Sequence, residues 1–441
     1  MRPASASASA SATVSGSASA NASAATPASA TAEASSSAAA AASHSHEHSH
    51  SHSYEHEHEH SETHWHEHST TGSHEHSRER SQETIPDYSR FAIGFDHRDR
   101  ARFHALIDEV LDSERWSEGD LTTRFEAAWG AHNAIPAVAL SSWAGGALAA
   151  LQFAGAQAGE TVLCPSNTFI ATPLAAVHTG ASVVFVDCNR EDLCMSLEDF
   201  VAKAEQHKPR AAILVHIGGH LAFDSEAIAR YCAEHGIFLI EDCAHAHGAS
   251  WHARKPGTYG DAGVYSLYAT KTISTGEGGV LVSKHPEVIA HARAFRNYGK
   301  PTYDVHGLNF RINEFTAALG LLQIQRLPEI VAWKNNVAHA ELDALFPSRL
   351  ELPEGMVSGL YKYIVFDWLE RSTGRVYDEP CHRIMGHDVE LPNTDWVARN
   401  HSCVPLYYRP GRPDGGTSAS ATAVSTDVLN QANRTTRRPQ R

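Results

Sequence analysis

Residues 237–283 read IFLIEDCAHAHGASWHARKPGTYGDAGVYSLYATKTISTGEGGVLVS, and this stretch decides the fold. Three short apolar runs, IFLIED (237–242), AGVYSLY (262–268) and GGVLVS (278–283), are bounded by polar and glycine-rich segments. Runs of this length and composition predict buried β-strands. Asp242 ends the first run, and Lys271 follows the second. The polar groups that matter for function are therefore expected at the ends of strands.

The same pattern continues upstream, where strand-like runs alternate with helical ones. TVLCP (161–165), SVVFVD (182–187) and AAILVH (211–216) predict three more strands. Helical spacing is found in three segments: LEDFVAKAEQ (197–206), DSEAIARYCAEHG (224–236) and PEVIAHARAFRNYG (286–299). Alternating strands and helices predict an α/β fold with a mainly parallel sheet, whose ligands bind at the carboxyl ends of the strands.

Composition divides the chain into four regions. Residues 1–85 are rich in Ala and Ser and then in His and Glu, and they predict a disordered leader. Residues 86–325 predict the large α/β domain, and residues 326–412 a small C-terminal α+β domain. A long helix is expected over 313–343. The polar residues 413–441 predict a disordered tail.

The His/Glu tract at 44–76 allows two interpretations. Its imidazoles are suited to chelating zinc or nickel, or the tract is simply a solvated leader.

Several classes of protein are excluded by the same composition. The formal net charge is −15 and no basic stripe precedes the C-terminal RTTRRPQR, which argues against nucleic-acid binding. The sequence lacks a continuous apolar stretch of the length that a membrane span or a signal peptide needs. The seven cysteines are scattered without a CxxC pair, which favours free thiols in the cytoplasm over disulfides or a metal site.

Three features near the strand ends are candidates for catalysis or phosphate binding, and each also has a simpler structural interpretation. Asp242 either serves catalysis or caps the next helix. The amine of Lys271 either takes part in a reaction or is simply exposed to solvent. The segment Ser141–Gly146 opens a helix with small residues, and such an N-terminus offers free N–H groups to a phosphate.

Five blocks in fixed order turn these separate features into a specific pattern. They are SSWAGGALAAL, GETVLCPSNTFIAT, FLIEDCAHAHGA, GDAGVYSLYATKTISTGEGGVLVS and RNYGK with GLNFRINEFTAALGLLQI. The pattern resembles the DegT family of pyridoxal-phosphate (PLP) dependent sugar aminotransferases, of the aspartate-aminotransferase fold type. The resemblance implies a three-layer PLP-transferase fold. It also implies transfer of an amino group, from glutamate, to a keto group of a nucleotide-linked deoxysugar.

The resemblance implies roles for the residues at the matched positions. Lys271 would bind the cofactor aldehyde covalently and later move a proton, which requires a pKa low enough to leave some free amine. Asp242 would hold a proton on the pyridine nitrogen, so that the ring accepts electrons. Phe169 would stack on one face of the ring and Ala244 would pack on the other. His245 stands where the family usually has Gln contacting the ring hydroxyl.

The cofactor phosphate would be held by Ser266 and by the N–H groups of Trp143 and Ala144. The family usually has Gly-Thr at the latter pair, so one hydroxyl contact is lost, and Ser142 is a candidate replacement. Asn309 matches a residue that reaches the phosphate in the neighbouring subunit. That match implies a homodimer with shared sites.

Other interpretations remain open at this point. Related sugar dehydratases keep the cofactor but carry His in the lysine position, so Lys271 favours transamination. A metal-buffering or regulatory protein that uses the His tract is a third alternative. His216 is interpreted as structural. His382, in PCHR, is either a substrate-side residue or a surface histidine.

Overall fold

The computed structural model describes residues 94–369 and 372–408. The predictions for the leader at 1–85 and the tail at 413–441 lie outside the described residues. The helices are α1 (His97–Ser113), α2 (Asp120–Asn133), α3 (Trp143–Ala154), α4 (Ala171–His178), α5 (Leu197–His207), α6 (Ser225–His235), α7 (Pro286–Phe295), α8 (Glu314–Val337), α9 (Cys381–Ile384) and α10 (Pro392–Val397). The strands are β1 (Ala137–Leu140), β2 (Thr161–Pro165), β3 (Ser182–Val186), β4 (Ala211–Val215), β5 (Phe238–Asp242), β6 (Ser250–Trp251), β7 (Ala262–Ser266), β8 (Gly279–Val282), β9 (Met356–Val357), β10 (Tyr363–Val365) and β11 (Ser402–Val404).

Seven strands form the central sheet, in the order β1-β8-β7-β5-β4-β2-β3. Strands β3, β2, β4, β5 and β7 are mutually parallel, whereas β8 runs antiparallel to both of its neighbours. The prediction of an α/β fold with a mainly parallel sheet is confirmed. All six predicted strands are present. The edge strand β1 was not predicted, because its four residues AVAL are too few to establish a period.

Helix α3 lies close against the sheet because its side chains are small. Its sequence is WAGGALAALQFA, and eight of its twelve residues are buried. At Gly146 a Cβ atom would lie 2.8 Å from a methyl group of Val264 in β7, so the helix approaches the strand more closely than any larger residue permits. Aliphatic side chains on both sides of this contact form the largest apolar cluster of the described chain. This packing fixes the N-terminus of α3 relative to β7.

The C-terminal region packs partly on the sheet and partly on itself. Strands β10 and β11 pair antiparallel, within the region 326–412 for which the sequence predicts an α+β domain. Helix α8 contains Pro328 and continues into a π-helical turn at Ala338–Leu342, in agreement with the helix predicted over 313–343. Cys381, Leu391 and Val397 join the apolar cluster of the central sheet. The division into domains at 325/326 stays a prediction, and it falls inside α8.

Two further observations bear on the excluded classes. Within residues 94–369 and 372–408, none of the helices combines the length and the apolar character needed to cross a bilayer. All seven cysteines lie in these ranges, and all are buried free thiols.

Candidate active site

A cavity of about 690 Å³ opens at the carboxyl ends of the parallel strands. Strands β5 and β7 end there, because parallel strands all present their carboxyl ends at one edge of a sheet. Eight of the nine predicted site residues line this cavity: Trp143, Ala144, Phe169, Asp242, Ala244, His245, Ser266 and Lys271. The fold thus brings together residues that are up to 128 positions apart in the chain, from 143 to 271.

Asp242 lies at the bottom of the cavity wall and is 4% exposed. One carboxylate oxygen accepts a hydrogen bond from the hydroxyl of Thr172 (2.9 Å), and the other accepts one from the N–H of Ala244 (3.0 Å). Burial raises the pKa of Asp242, while these two hydrogen bonds and the charge of Lys271 act in the opposite direction. The two donors hold the carboxylate in one orientation, and each oxygen keeps a further lone pair for a ligand.

Lys271 lies in the loop after β7, where its N–H donates to the carbonyl of Tyr268 (3.0 Å). Its amine lies 4.9 Å from the ring centroid of Tyr361. Burial lowers the pKa of Lys271 to about 8; the negative charge of Asp242 opposes this shift and the positive charge of Lys362 adds to it. A substantial fraction of the amine is therefore unprotonated near neutral pH, which a nucleophilic lysine requires.

The N-terminus of α3 faces the cavity with two backbone donors that have no hydrogen-bond partner in the part of the chain that the structure describes. Ser142 caps the helix, and its side-chain oxygen accepts the N–H of Gly145 (3.2 Å). Trp143 and Ala144 occupy the first two helical positions, whose N–H groups have no partner within the helix. The hydroxyl of Ser266 accepts the N–H of Tyr268 (3.3 Å) and keeps its own proton to donate. This is a suitable arrangement for an anion.

The glycines after Lys271 act through the backbone. Gly276 and Gly278 have φ angles of +82° and +156°, which side chains with a Cβ rarely adopt. At Gly279 a Cβ atom would lie 2.4 Å from the carbonyl oxygen of Ser142 and 2.7 Å from the nitrogen of Trp143. The start of β8 thus lies directly against the start of α3.

Phe169 and Ala244 differ greatly in size, and both line the cavity. Phe169 is 61% exposed, so it does not serve as an ordinary core residue. An exposed ring beside a polar cavity is available to stack on a flat ligand. Ala244 takes up little space and leaves room for such a ligand.

His245 is buried among aromatic rings. Its ring centroid lies 4.3 Å from that of Tyr361 and 5.8 Å from that of Tyr377, and its Nε2 is 3.5 Å from the hydroxyl of Tyr377. Within the described part of the chain its Nδ1 has no hydrogen-bond partner. Burial, together with the charges of Lys271 and Lys362, holds the pKa of His245 well below its ordinary value. The imidazole is therefore neutral and keeps one nitrogen for a ligand.

Three other predicted residues lie outside this cavity. Asn309 accepts the N–H of Arg311 (3.3 Å), and its reach into another subunit stays a prediction. His382 is neither a surface residue nor part of the cavity wall: it is buried, with Nδ1 2.7 Å from the hydroxyl of Ser166. His216 is buried and hydrogen-bonded to Glu241 (2.8 Å), which agrees with a structural role.

His216, Glu241 and Cys243 are the only possible metal-ligand group found among the described residues. The carboxylate of Glu241 already accepts three backbone N–H groups, from Gly257, Tyr259 and Gly260, at 2.7 to 2.8 Å. All of its oxygens are thus engaged in closing the 257–260 turn. We interpret the group as a structural hydrogen-bond network.

The sequence prediction missed the part of the cavity wall that comes from the C-terminal region. Tyr361, Lys362, Tyr377 and Asp378 all line the cavity. Tyr361 and Lys362 stand at the start of the run YKYIVFDW, which the apolar pattern identifies as a strand. That pattern indicates which residues are buried, but it does not indicate that the strand lies against the loop after β4.

Comparisons with known proteins give a family of aminotransferases. The model of the DegT/DnrJ/EryC1/StrS aminotransferase family matches residues 97–350. GDP-perosamine synthase of Escherichia coli O157:H7 is 32% identical over 53% of this chain, and the match spans 65% of that protein's length. The dTDP-4-dehydro-2,3,6-trideoxy-D-glucose 4-aminotransferase of Saccharopolyspora spinosa is 30% identical over 68% of this chain and 88% of its own.

Solved structures show the same fold. The aminotransferase TlmJ of Streptoalloteichus hindustanus superimposes with a TM-score of 0.67 and 26% identity. The superposition covers 78% of this chain and 98% of that one.

Proposed function

Since the chain belongs to the DegT/DnrJ/EryC1/StrS aminotransferase family, we propose that it is a PLP-dependent aminotransferase. It transfers an amino group from glutamate to a keto group of a nucleotide-linked deoxysugar. One observation carries the proposal: Lys271 and Asp242 line the same cavity, and the charge of each shifts the pKa of the other. These are the two side chains that the chemistry of this cofactor requires.

The donors and rings of the cavity fit PLP. The free N–H groups of Trp143 and Ala144 and the hydroxyl of Ser266 suit its phosphate. The exposed ring of Phe169 and the small side chain of Ala244 suit a flat pyridine ring between them. When bound, PLP supplies an aldehyde that exchanges amines and a ring that accepts electrons.

The side chains have distinct tasks in this proposal. With PLP present, the unprotonated Nζ of Lys271 would hold the cofactor through its aldehyde, and the same amine would carry the proton away from the α-carbon of the amino donor. Asp242 holds a proton at the pyridine nitrogen, because a cation opposite a buried carboxylate favours the charged form of both. The neutral imidazole of His245 offers its unpaired nitrogen to the ring hydroxyl.

The substrate class is supported by what the relatives act on. One is a GDP-perosamine synthase and another is a 4-aminotransferase of a dTDP-linked 4-dehydro sugar, so both names describe sugars attached to a nucleotide. The retained Lys271 favours transamination over the dehydratase chemistry that uses His at this position. We therefore extend the nucleotide-sugar substrate to this chain.

We also propose a homodimer with shared sites, located in the cytoplasm. Phe169 and Tyr268 line the cavity although they are 61% and 46% exposed, so a second subunit would cover apolar surface at its mouth. Asn309 is not among the described residues that line the cavity, and the resemblance of GLNFR implies that it reaches the phosphate in a partner subunit. The seven buried free thiols support a reducing compartment.

The proposal is tested by the visible spectrum of the purified protein with PLP. We expect an absorption band that borohydride traps and that glutamate shifts, followed by amino transfer to a keto sugar from a panel of nucleotide sugars. Lys271→Ala should lose the band and the trapping. Lys284→Ala changes an exposed lysine away from the cavity and should keep both. A colourless wild-type protein that does not respond to PLP contradicts the proposal.

A further inference from the structure

A second lysine, Lys362, lines the same cavity as Lys271. The amine of Lys362 lies 5.4 Å from the ring centroid of Tyr361, and the amine of Lys271 lies 4.9 Å from the same centroid. Both cations therefore share a single ring, and each repels the other. A ring face stabilises a cation by far less than a carboxylate does. The cavity wall also carries the carboxylates of Asp242, Glu277 and Asp378, so the availability of Lys362 depends on whether any of them pairs with its amine.

The backbone holds Lys362 firmly against the large domain. Its N–H donates to the carbonyl of Gly218 (2.8 Å), and the N–H of Gly359 donates to that of Gly219 (2.8 Å). At Gly219 a Cβ atom would lie 2.6 Å from the nitrogen of Tyr361, so only glycine allows this approach. The base of the Lys362 side chain is therefore fixed relative to the loop after β4.

The amine of Lys362 makes no hydrogen bond or ion pair with the residues that the structure describes. On the cavity wall, Asp378 lies 3.7 Å from Arg375, and Glu277 forms no ion pair with Lys362. An unpaired ammonium group on the wall of a pocket is a ready donor for an incoming anion.

Lys362 also lines a neighbouring cavity of about 570 Å³, whose acidic groups are already paired. Asp343 lies 3.5 Å from Arg349, and Glu351 lies 3.7 Å from the same guanidinium. The neighbouring cavity therefore supplies no counter-charge to Lys362 either, and the free ammonium remains available to the ligand of the main cavity.

We propose that Lys362 binds an anionic oxygen group of the substrate and thereby helps to determine substrate specificity. The group is the carboxylate of the amino donor or the diphosphate of the nucleotide sugar, and both accept charge-assisted hydrogen bonds from an ammonium group. The inference rests on the proposed function, because the anion belongs to one of its two substrates. It assigns a binding role to a residue that the sequence pattern identifies only as the start of a strand.

Two probes that do not react separate the two sources of the anion. Glutarate is a dicarboxylate without an amino or keto group, and dTDP carries the diphosphate without a sugar. Binding of each to the PLP-loaded full-length protein is measured by calorimetry, for the wild type, Lys362→Met, Lys362→Arg and the surface control Lys284→Met. We expect Lys362→Met to weaken one probe by about 10- to 100-fold, the effect of losing a charge-assisted hydrogen bond.

Weakened glutarate binding identifies the donor carboxylate, and weakened dTDP binding identifies the diphosphate. Lys362→Arg should restore most of the affinity, and Lys284→Met should leave it unchanged. The inference is overturned if the wild type binds neither probe, or if Lys362→Met binds both as tightly as the wild type does.

Steady-state kinetics then distinguish this inference from the proposed function. If the wild type turns over, Lys362→Met should raise the KM of the matching substrate by a similar factor. Because the charge of Lys362 also lowers the pKa of Lys271, kcat does not decide the inference, and an unchanged KM for both substrates overturns it. If the proposed function is wrong, the wild-type protein will not transfer an amino group. The affinities for glutarate and dTDP are measured without turnover and still test the role of Lys362.

Discussion

The acidity of the Lys271 ammonium can be changed in either direction by its two charged neighbours. Burial and the charge of Lys362 lower the pKa of Lys271 from 10.5 to about 8, and the charge of Asp242 raises it. Asp242→Asn removes a neighbouring negative charge, so the pKa of Lys271 should fall below 8. Lys362→Met removes a neighbouring positive charge, so that pKa should rise. Both variants keep the size of the original side chain.

The magnitude follows from the pKa itself. A lower pKa means that more of the amine is unprotonated at a given pH. At pH 7 an amine with a pKa of about 8 is about 10% free base, whereas one at 10.5 is about 0.03%, a difference of about 300-fold. A further fall of about one unit in Asp242→Asn would bring the free-base fraction to about one half. Lys271 should therefore react rapidly at neutral pH, and more rapidly still in this variant.

The assay follows the labelling of individual lysines in protein prepared without cofactor. The protein is treated with an amine-selective reagent across a range of pH, and the modified peptides are quantified by mass spectrometry. Lys284, which is exposed, serves as the internal reference in the same digest. We expect a labelling midpoint for Lys271 near pH 8, a lower one in Asp242→Asn and a higher one in Lys362→Met. A midpoint of 10 or above in the wild type, or shifts in the opposite directions, would refute the reasoning.

Two predictions concern the scaffold that supports the site. Gly279→Ala should displace the first turn of α3, because its Cβ would lie 2.4 Å from the carbonyl oxygen of Ser142, and we expect PLP to bind at least 10-fold more weakly. Gly236→Ala is the control: its φ of +67° strains the backbone locally, but its Cβ meets no described atom within 4 Å, so the affinity for PLP should be kept. Glu314 accepts hydrogen bonds from the N–H groups at the start of α2. Glu314→Gln should therefore lower the free energy of unfolding by about 2–4 kcal/mol, as measured by urea titration. Glu205→Gln changes an exposed carboxylate and is the control; equal stability of the two variants would disprove the role of Glu314.

The amino-acid sequence was sufficient to predict the central sheet, and eight of the nine site residues that it indicates line one cavity. The apolar runs ending at Asp242 and Ser266 are buried strands, because continuous apolar segments of this length are stable only when covered on both faces. The carboxyl ends of parallel strands meet at one edge, so the sequence also predicted that Asp242 and Lys271 would lie in one cavity. The sheet could be predicted because it depends on local periodicity, whereas the roles of Asp242 and Lys271 are implied by the resemblance to the DegT family and remain predictions.

The inter-subunit role of Asn309 and the domain division at 325/326 remain predictions. A single chain does not contain the partner surface that would test the former.

Only the tertiary structure decided which C-terminal residues complete the cavity and how the charged groups behave inside it. Tyr361 and Lys362 reach the wall because Gly218 and Gly219 let a distant loop approach the backbone of residues 359–362. The lowered pKa of Lys271 and the neutrality of His245 likewise arise from burial beside other charges. Pattern and spacing describe each residue's neighbours along the chain, whereas desolvation and charge repulsion depend on neighbours in space, which folding alone determines.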